Sequence, residues 1–179
     1  MSHRVRRFEP ADRMGMAAFA AALPEHDLLF LGRDLRHPRV VEAWLAAIAE
    51  GWIDSLVAQD DETGALIGTA ALVRDPLGWS PHVGEVRLLV AADRRGAGLG
   101  RDLLEGVFAI AGERGLTKLT ARMTPDQTGA VTLFESLGFR GEALLRDHVC
   151  SPAGELFDLA ILSYDAGRVA ARNEAFGVD

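Results

Sequence analysis

The sequence predicts an α+β fold in which helices cover a mixed β-sheet. Its predicted elements follow one another in the order β-α-α-β-β-β-α-β-α-β-β. The middle of the chain alternates strand, helix and strand, which favours parallel pairing, while turn sequences near both ends predict antiparallel hairpins. With 179 residues, 49% of them hydrophobic, the chain has the composition of an ordinary globular domain.

Turn residues and apolar spacing locate the elements of the first half. Asp12 is a favourable N-cap for an Ala-rich helix, which Pro24 ends. Gly51 ends a second helix, whose apolar residues recur every three or four positions. The polar segment 60–64 is typical of a hairpin turn. The predicted elements are a strand over 5–8, helices over 14–23 and 39–50, and strands over 55–58 and 65–73.

The second half continues the alternation and ends in another hairpin. An apolar residue recurs every three or four positions between Leu99 and Ile110, which predicts an amphipathic helix that Gly115 can cap. The turn sequence 151–154 joins the last two strands. The predicted elements are strands over 83–90, 118–123, 139–149 and 155–164, and helices over 98–114 and 130–137. We expect one domain over residues 1–165, followed by a polar tail over 166–179.

Charge and cysteine content argue against several classes of protein. A net charge of −7 argues against nucleic-acid binding, which needs clustered cations. The longest uncharged run, 14–24, is shorter than the roughly 20 residues of a membrane span. The single cysteine, Cys150, favours a reducing, cytoplasmic location, although three arginines before the Ala-rich stretch leave a signal peptide as an alternative. The five histidines have no metal-ligand spacing, so no metal is expected.

The glycine-rich segment 90–101 lies between a predicted strand and a predicted helix. Its glycines at 96, 98 and 100 permit a positive φ and the close approach of a ligand. Free amides and the dipole at a helix start attract anions, and Arg94, Arg95 and Arg101 add positive charge. A pyrophosphate-bearing ligand is therefore predicted. The spacing matches neither a dinucleotide fingerprint nor a P-loop, and a plain turn with solvated arginines is the alternative.

This segment resembles the acetyl-CoA motif of the GNAT superfamily of N-acetyltransferases, Arg/Gln-x-x-Gly-x-Gly/Ala. Arg95, Gly98 and Gly100 occupy the matching positions. Residues 130–139 are similar to the second motif of that family, a helix that ends in Gly-Phe. The strongest resemblance covers residues 83–140, and the order of elements also fits. It implies a GNAT-like fold with a central mixed sheet of six to seven strands and about four flanking helices.

The resemblance also implies acetyl-CoA as the cosubstrate and gives its parts to particular residues. The backbone of Leu88, Leu89 and Val90 would pair with the pantetheine arm, and the Val90 N–H would polarise the thioester carbonyl. The amides that would hold the pyrophosphate belong to Gly96, Ala97, Gly98, Leu99, Gly100 and Arg101. The side chains that would line the far side of the cofactor are Gln127, Ala130 and Phe134.

Three positions depart from the pattern of the family. Ala92 stands where Pro is usual, Gln127 where Asn is frequent, and Phe134 where the family often has the Tyr that protonates the leaving thiolate. Either another group donates this proton or the thiolate leaves unassisted, which a thiol pKa of about 8.5 permits. Phe134 thereby leaves open a second function, that of a catalytically impaired sensor of acetyl-CoA.

Three residues are candidates for acid–base catalysis. Glu85 shares a strand face with Arg87, so it is either the general base, as a Glu in this region of related proteins is, or a partner of that arginine. Asp158 interrupts an apolar strand and would need a partner. It would pair with His148 near the acceptor, or alternatively with Arg146, or it would guard a sheet edge.

The resemblance implies transfer of an acetyl group from acetyl-CoA to the amine of a small molecule or peptide by direct attack. Glu85 or His148 would take the amine proton. The acceptor is expected against residues 25–27 and the 79–82 loop, where acidic residues suggest a cationic amine. Because relatives are often dimers, a homodimer is an alternative to a monomer.

Overall fold

Seven strands form one sheet in a computed structural model of the chain, which describes residues 2–167. The strands are β1 (His3–Arg7), β2 (Ile53–Asp60), β3 (Leu66–Arg74), β4 (Val83–Val90), β5 (Lys118–Met123), β6 (Arg140–Cys150) and β7 (Leu156–Asp165). Their order in the sheet is β1-β2-β3-β4-β5-β7-β6. Only β4 and β5 pair in parallel, which confirms the predicted mixed sheet. The predicted tail lies outside the described residues, apart from its first two positions.

The helices occupy the predicted positions, with short 3-10 segments between them. They are α1 (Arg13–Ala22), α2 (Pro38–Ala49), α3 (Leu99–Glu113) and α4 (Thr128–Ser136), and the 3-10 segments are Pro10–Asp12, Glu25–Leu31 and Ala92–Arg94. No helix within residues 2–167 is long and apolar enough to cross a membrane.

Two local expectations are corrected. The polar residues Glu25, His26 and Asp27 after Pro24 predict a turn, but they begin the 3-10 segment Glu25–Leu31, whose Leu28, Phe30 and Leu31 are buried. Asp12 stands at the N-cap of α1, but its carboxylate accepts from the Arg6 guanidinium at 2.7 Å and not from a helix amide. The arginine is the stronger partner because it makes two parallel hydrogen bonds between opposite charges, whereas a helix amide would donate one hydrogen bond from an uncharged group.

Each face of the sheet carries its own apolar core. The core below α3 and α4 contains Leu103, Val107 and Phe139, and the core below α1 and α2 contains Met16 and Val41. Successive strand residues point to opposite faces, so β4 supplies both cores in alternation. This alternation is what holds the middle strand firmly between two helical layers.

The parallel pair β4–β5 separates before β4 ends. Its paired residues run only from Val83–Lys118 to Val86–Ala121, whereas β3 pairs with β4 as far as Val90. Residues 87–90 of β4 therefore have a strand on one side only. The gap between the two strands, called the opening below, is the main break in the ladders of the sheet.

A buried carboxylate near the start of β2 binds arginines from three parts of the fold. Asp54, 6% exposed, receives hydrogen bonds from Arg7 of β1 and from Arg114 at the end of α3, and lies 3.6 Å from the Arg74 guanidinium. Burial raises the pKa of Asp54, but the hydrogen bonds from Arg114 and Arg7 outweigh it, so the pKa lies below its usual value.

We expect Asp54→Ala to lower the free energy of unfolding by about 2 kcal/mol, because buried guanidinium contacts lose their counter-charge while Arg7 and Arg114 keep some water. Chemical denaturation measures this, with Glu105→Ala on the exposed face of α3 as a control. A carboxylate with a depressed folded pKa stabilises the fold fully above about pH 4, the unfolded value, and loses that effect as pH falls through the folded pKa. A difference between wild type and variant that stays constant below pH 4 would contradict this account.

Candidate active site

Backbone groups of β4 face the opening at alternate residues. The Ala91 amide donates to Ile67 of the β3 side at 2.9 Å, so residues 87 and 89 also turn their amides towards β3. Leu88 and Val90 must then turn theirs towards the opening. Of the three residues expected to pair with a pantetheine arm, Leu89 cannot do so through its backbone, and its side chain is buried in the α1–α2 core.

The loop after β4 presents a row of free amides. Gly96 and Gly98 have φ values of 76° and 89°, a left-handed conformation that favours glycine, and α3 begins directly afterwards. Within residues 2–167 the amides of 96–100 donate to no backbone or side-chain acceptor. The Arg101 amide differs, because it already donates to the Gly98 carbonyl at 2.9 Å. Five such amides at the start of a 15-residue helix are suited in geometry and charge to an anion.

The arginines of this loop are fastened to the protein. Arg94 lies 2.8 Å from the Asp60 carboxylate, and Arg101 donates to the Ser136 hydroxyl at 3.1 Å. Arg95 donates both to Asp27 and to the Val90 carbonyl. Arg94 and Arg95 thus face carboxylates, whereas a neutral hydroxyl holds Arg101, so the expected positive charge beside the ligand stays a prediction for Arg101. The arginines shape the loop, and the backbone amides supply the free donors.

Residues of α4 lie across from this loop. Gly100 permits a close approach, since a Cβ there would lie 2.9 Å from a methyl group of Leu133 on α4. Gln127 precedes α4 and accepts from the Thr124 amide at 3.3 Å, and Ala130 packs against the α3–α4 core. Phe134 is 3% exposed and meets Phe139 edge to face at 4.9 Å. Its ring is thus a core residue of this side.

The one tyrosine of the sequence cannot replace the missing proton donor. Tyr164 packs between Phe108 and Phe139, with ring centroids 5.1 and 5.7 Å away. It pairs with Leu119 in β5, two residues before Ala121, the last residue of β5 that pairs with β4. Its role is packing, at the end of β5 away from the opening.

The 3-10 segment Glu25–Leu31 spans the opening on the α1–α2 face. His26 lies 2.8 Å from the Asp126 carboxylate and 3.2 Å from the Thr124 hydroxyl, both just after β5. The next residue, Asp27, binds Arg95 just after β4. Although burial raises the pKa of Asp126, hydrogen bonds from Thr124 and His26 outweigh it and lower that pKa. Neighbouring residues thereby tie the two separated strand ends together.

A cavity of about 430 Å³ lies beside the opening on the α1–α2 face. Its charged wall residues are Glu85, Arg33, Arg87 and Arg122. The Glu85 carboxylate accepts from Arg87 Nε at 2.7 Å, the contact expected under one of its two alternatives, and lies 3.3 Å from Arg122 Nε. Sequence patterns did not single out Arg33 or Arg122, because only the parallel pairing and the loop path place them beside Glu85.

The other two acid–base candidates lie apart from this cavity. His148 lines a second cavity of about 360 Å³ that also contains Glu25 and Arg36. Asp158 accepts from the Asp147 amide at 2.9 Å, where β6 bulges and Asp147 has a φ of 48°. Among residues 2–167 no hydrogen bond joins Asp158 to His148 or Arg146. β7 lies between β5 and β6, but its pairing with β5 ends at Ala160, so Asp158 has no β5 neighbour and the edge-strand alternative stays a prediction.

The expectation that the acceptor lies against the 79–82 loop is also corrected. It precedes β4, whereas the opening lies at the end of that strand, and none of its residues lines the cavity beside Glu85. In the part of the chain that the structure describes, no group of three or more His, Cys, Asp or Glu side chains is placed to hold a metal ion.

Comparisons with known proteins agree on one family. The sequence model described as the acetyltransferase (GNAT) family matches residues 21–139. N-acetyltransferase 8 of Rattus norvegicus is 34% identical over 86 residues, which cover 46% of this chain and 39% of that protein. The chain thus spans about two fifths of the length of this relative.

Solved structures share the fold. A ribosomal-protein-alanine N-acetyltransferase from Brucella melitensis superposes with a TM-score of 0.75 at 23% identity, covering 90% of this chain and 99% of that one. A spermidine N-acetyltransferase from Vibrio cholerae, solved with CoA and spermine, has a TM-score of 0.75 at 17% identity, covering 92% and 96%. These similarities confirm the predicted GNAT-like architecture.

We expect Gly98→Ala to weaken CoA binding at least tenfold, because a Cβ at a φ of 89° would twist the loop amides away from a common centre. Gly112→Ala, in the same helix with open space around its Cβ, is the control and should leave binding unchanged. Isothermal titration calorimetry measures both. Equal affinities for the two variants would show that the loop conformation does not matter for this ligand.

Proposed function

The chain belongs to the acetyltransferase (GNAT) family, and from this premise we propose that it transfers an acetyl group from acetyl-CoA to a primary amine. One observation carries the proposal. The opening beside Leu88 and Val90 leads directly into the loop of free amides at 96–100. A long ligand with a diphosphate at one end and hydrogen-bonding amides along its arm matches that arrangement.

Different residues of the chain then bind different parts of acetyl-CoA. The amides of 96–100 donate to the pyrophosphate, as predicted for this segment. Leu88 and Val90 pair with the pantetheine amides as a neighbouring strand would, and the Val90 N–H polarises the thioester carbonyl. The Val90 carbonyl is held by Arg95, which keeps this residue oriented.

Transfer proceeds by direct attack of the amine on the thioester carbon. The new N–C bond forms, the C–S bond breaks, and the sulfur leaves as a thiolate. We assign the amine proton to Glu85, directly or through water, because this carboxylate lines the cavity beside the opening. His148 lines a different cavity and is the alternative base. Holding both substrates together supplies much of the rate through proximity.

Release of free CoA from acetyl-CoA, followed with a panel of amines, amino acids and peptides, tests this function. We expect turnover with at least one acceptor, and Glu85→Gln should lower kcat by roughly 100-fold, as loss of a general base does. His148→Gln is the comparison and should retain activity. Tight binding of acetyl-CoA without turnover of any acceptor would contradict the proposal that the protein is an enzyme.

Phe134 favours a second candidate, an acetyl-CoA sensor without catalysis. The ring carries no hydroxyl and is packed against Phe139. We expect Phe134→Tyr to change kcat less than about threefold, because a thiolate with a pKa near 8.5 leaves without an acid. The same CoA-release assay measures the effect. Activity that appears only in the variant would favour the sensor over the enzyme.

A further inference from the structure

The cavity beside Glu85 has an unusual charge balance for an acidic protein. Three guanidinium groups and one carboxylate line it, so its wall carries a net positive charge, although the whole chain carries −7. Among residues 2–167, Glu85 is the only acidic residue of the wall, and it is shared between Arg87 and Arg122. One carboxylate cannot neutralise three arginines, and the surplus must meet water or an anion.

Arg33 is the cation with the most freedom in this wall. It lies in the connection between the 3-10 segment Glu25–Leu31 and α2, and it is exposed. Among residues 2–167 no hydrogen bond or ion pair engages its guanidinium. A planar guanidinium without a partner is suited to a carboxylate, which it binds through two parallel hydrogen bonds.

Trp44 supplies an aromatic part of the wall of the same cavity. Its indole Nε1 has no hydrogen-bond partner in the described residues, but it is shielded from solvent and therefore does not face a ligand in the cavity. The cavity volume of about 430 Å³ lies within the usual range for small-molecule sites.

The positive wall lies next to the place of acetyl transfer. Arg87 and Arg122 are the first residues of β4 and β5 beyond the paired part of the two strands. Arg87 directly precedes Leu88, whose backbone faces the opening. A small molecule can therefore extend from the opening into the cavity. Its amine would lie at the opening, and a second group would lie at the arginines of the cavity wall.

We propose that the acceptor amine carries an anionic group, a carboxylate, which Arg33, Arg87 and Arg122 bind. The substrate class is that of amino acids and related amino carboxylates. The proposal rests on the proposed acetyl transfer and replaces the cationic acceptor suggested by the acidic residues near 25–27. Glu85 lies among the arginines and faces the ammonium end of such a zwitterion before its proton is removed.

Matched pairs of acceptors test the proposal, each an amino acid and its α-carboxamide, for example leucine with leucinamide and methionine with methioninamide. The amides are less basic and offer more free amine at neutral pH, so chemistry alone favours them. We expect kcat/KM, from CoA release, to be at least tenfold higher for the acid in the preferred pair. Spermidine, a polycation, should be a poorer acceptor than that acid.

Arg33→Gln is the variant of choice, because it removes a charge that supports no contact of the fold. It should raise KM for the acid about tenfold, change kcat little, and leave KM for the amide unaltered. Arg39→Gln is the matched control, since Arg39 is an exposed arginine at the start of α2 outside the cavity wall. Equal effects of both variants on acid and amide would overturn the proposal.

The remaining outcomes separate this inference from the proposed function. Turnover of amides or spermidine in preference to acids supports acetyl transfer and overturns the anion site. If no acceptor releases CoA, acetyl transfer fails, and calorimetry of acids and amides with the acetyl-CoA-loaded protein decides the site alone. Binding of the acid that Arg33→Gln weakens and Arg39→Gln preserves would support it, whereas equal or absent binding of acid and amide would overturn it.

Discussion

The separation of β4 from β5 beyond Val86 and Ala121 is the constraint on which the candidate site depends. It leaves backbone groups of β4 without strand partners, a cost that a folded chain accepts only where water or a ligand satisfies them. Both strands stay anchored, because β3 pairs with β4 to Val90 and β7 pairs with β5 to Met123. The gap is therefore a stable feature of the sheet, with hydrogen-bonding groups already oriented for an extended ligand.

The 3-10 segment across the opening connects the ends of β4 and β5, which do not pair with each other. His26 binds beyond β5 and Asp27 binds beyond β4, so the segment fixes the width of the gap from the α1–α2 side. The Asp27 contact passes through Arg95, which also holds the Val90 carbonyl. Arg95 thus connects the 3-10 segment, the loop after β4 and the end of β4. A displacement of any one of these three would therefore also move the other two.

Local patterns in the sequence predicted the elements and the glycine conformations of the loop after β4, because helix periodicity, turn residues and the left-handed glycines at 96 and 98 act over a few residues. The partners of charged residues were harder to predict. Glu85 and Arg87 are two positions apart on one strand, and their contact was expected under one of two alternatives. Arg122 contacts the same carboxylate only because β4 pairs with β5. Asp158 accepts from a backbone amide that a bulge in β6 turns towards it. Such contacts depend on tertiary register, which no short stretch of sequence encodes.

The arginines around Glu85 connect the binding of an acceptor with its deprotonation. In the free protein both oxygens of this carboxylate face guanidinium groups, Oε1 that of Arg87 and Oε2 that of Arg122. An anionic group on the acceptor would compete for Arg87 and Arg122 and draw part of their charge away from Glu85. The carboxylate would then be freed for the ammonium end of the same molecule. An acceptor without the anion would leave Glu85 held by its arginines, so the site would distinguish substrates in the proton-transfer step as well as in binding.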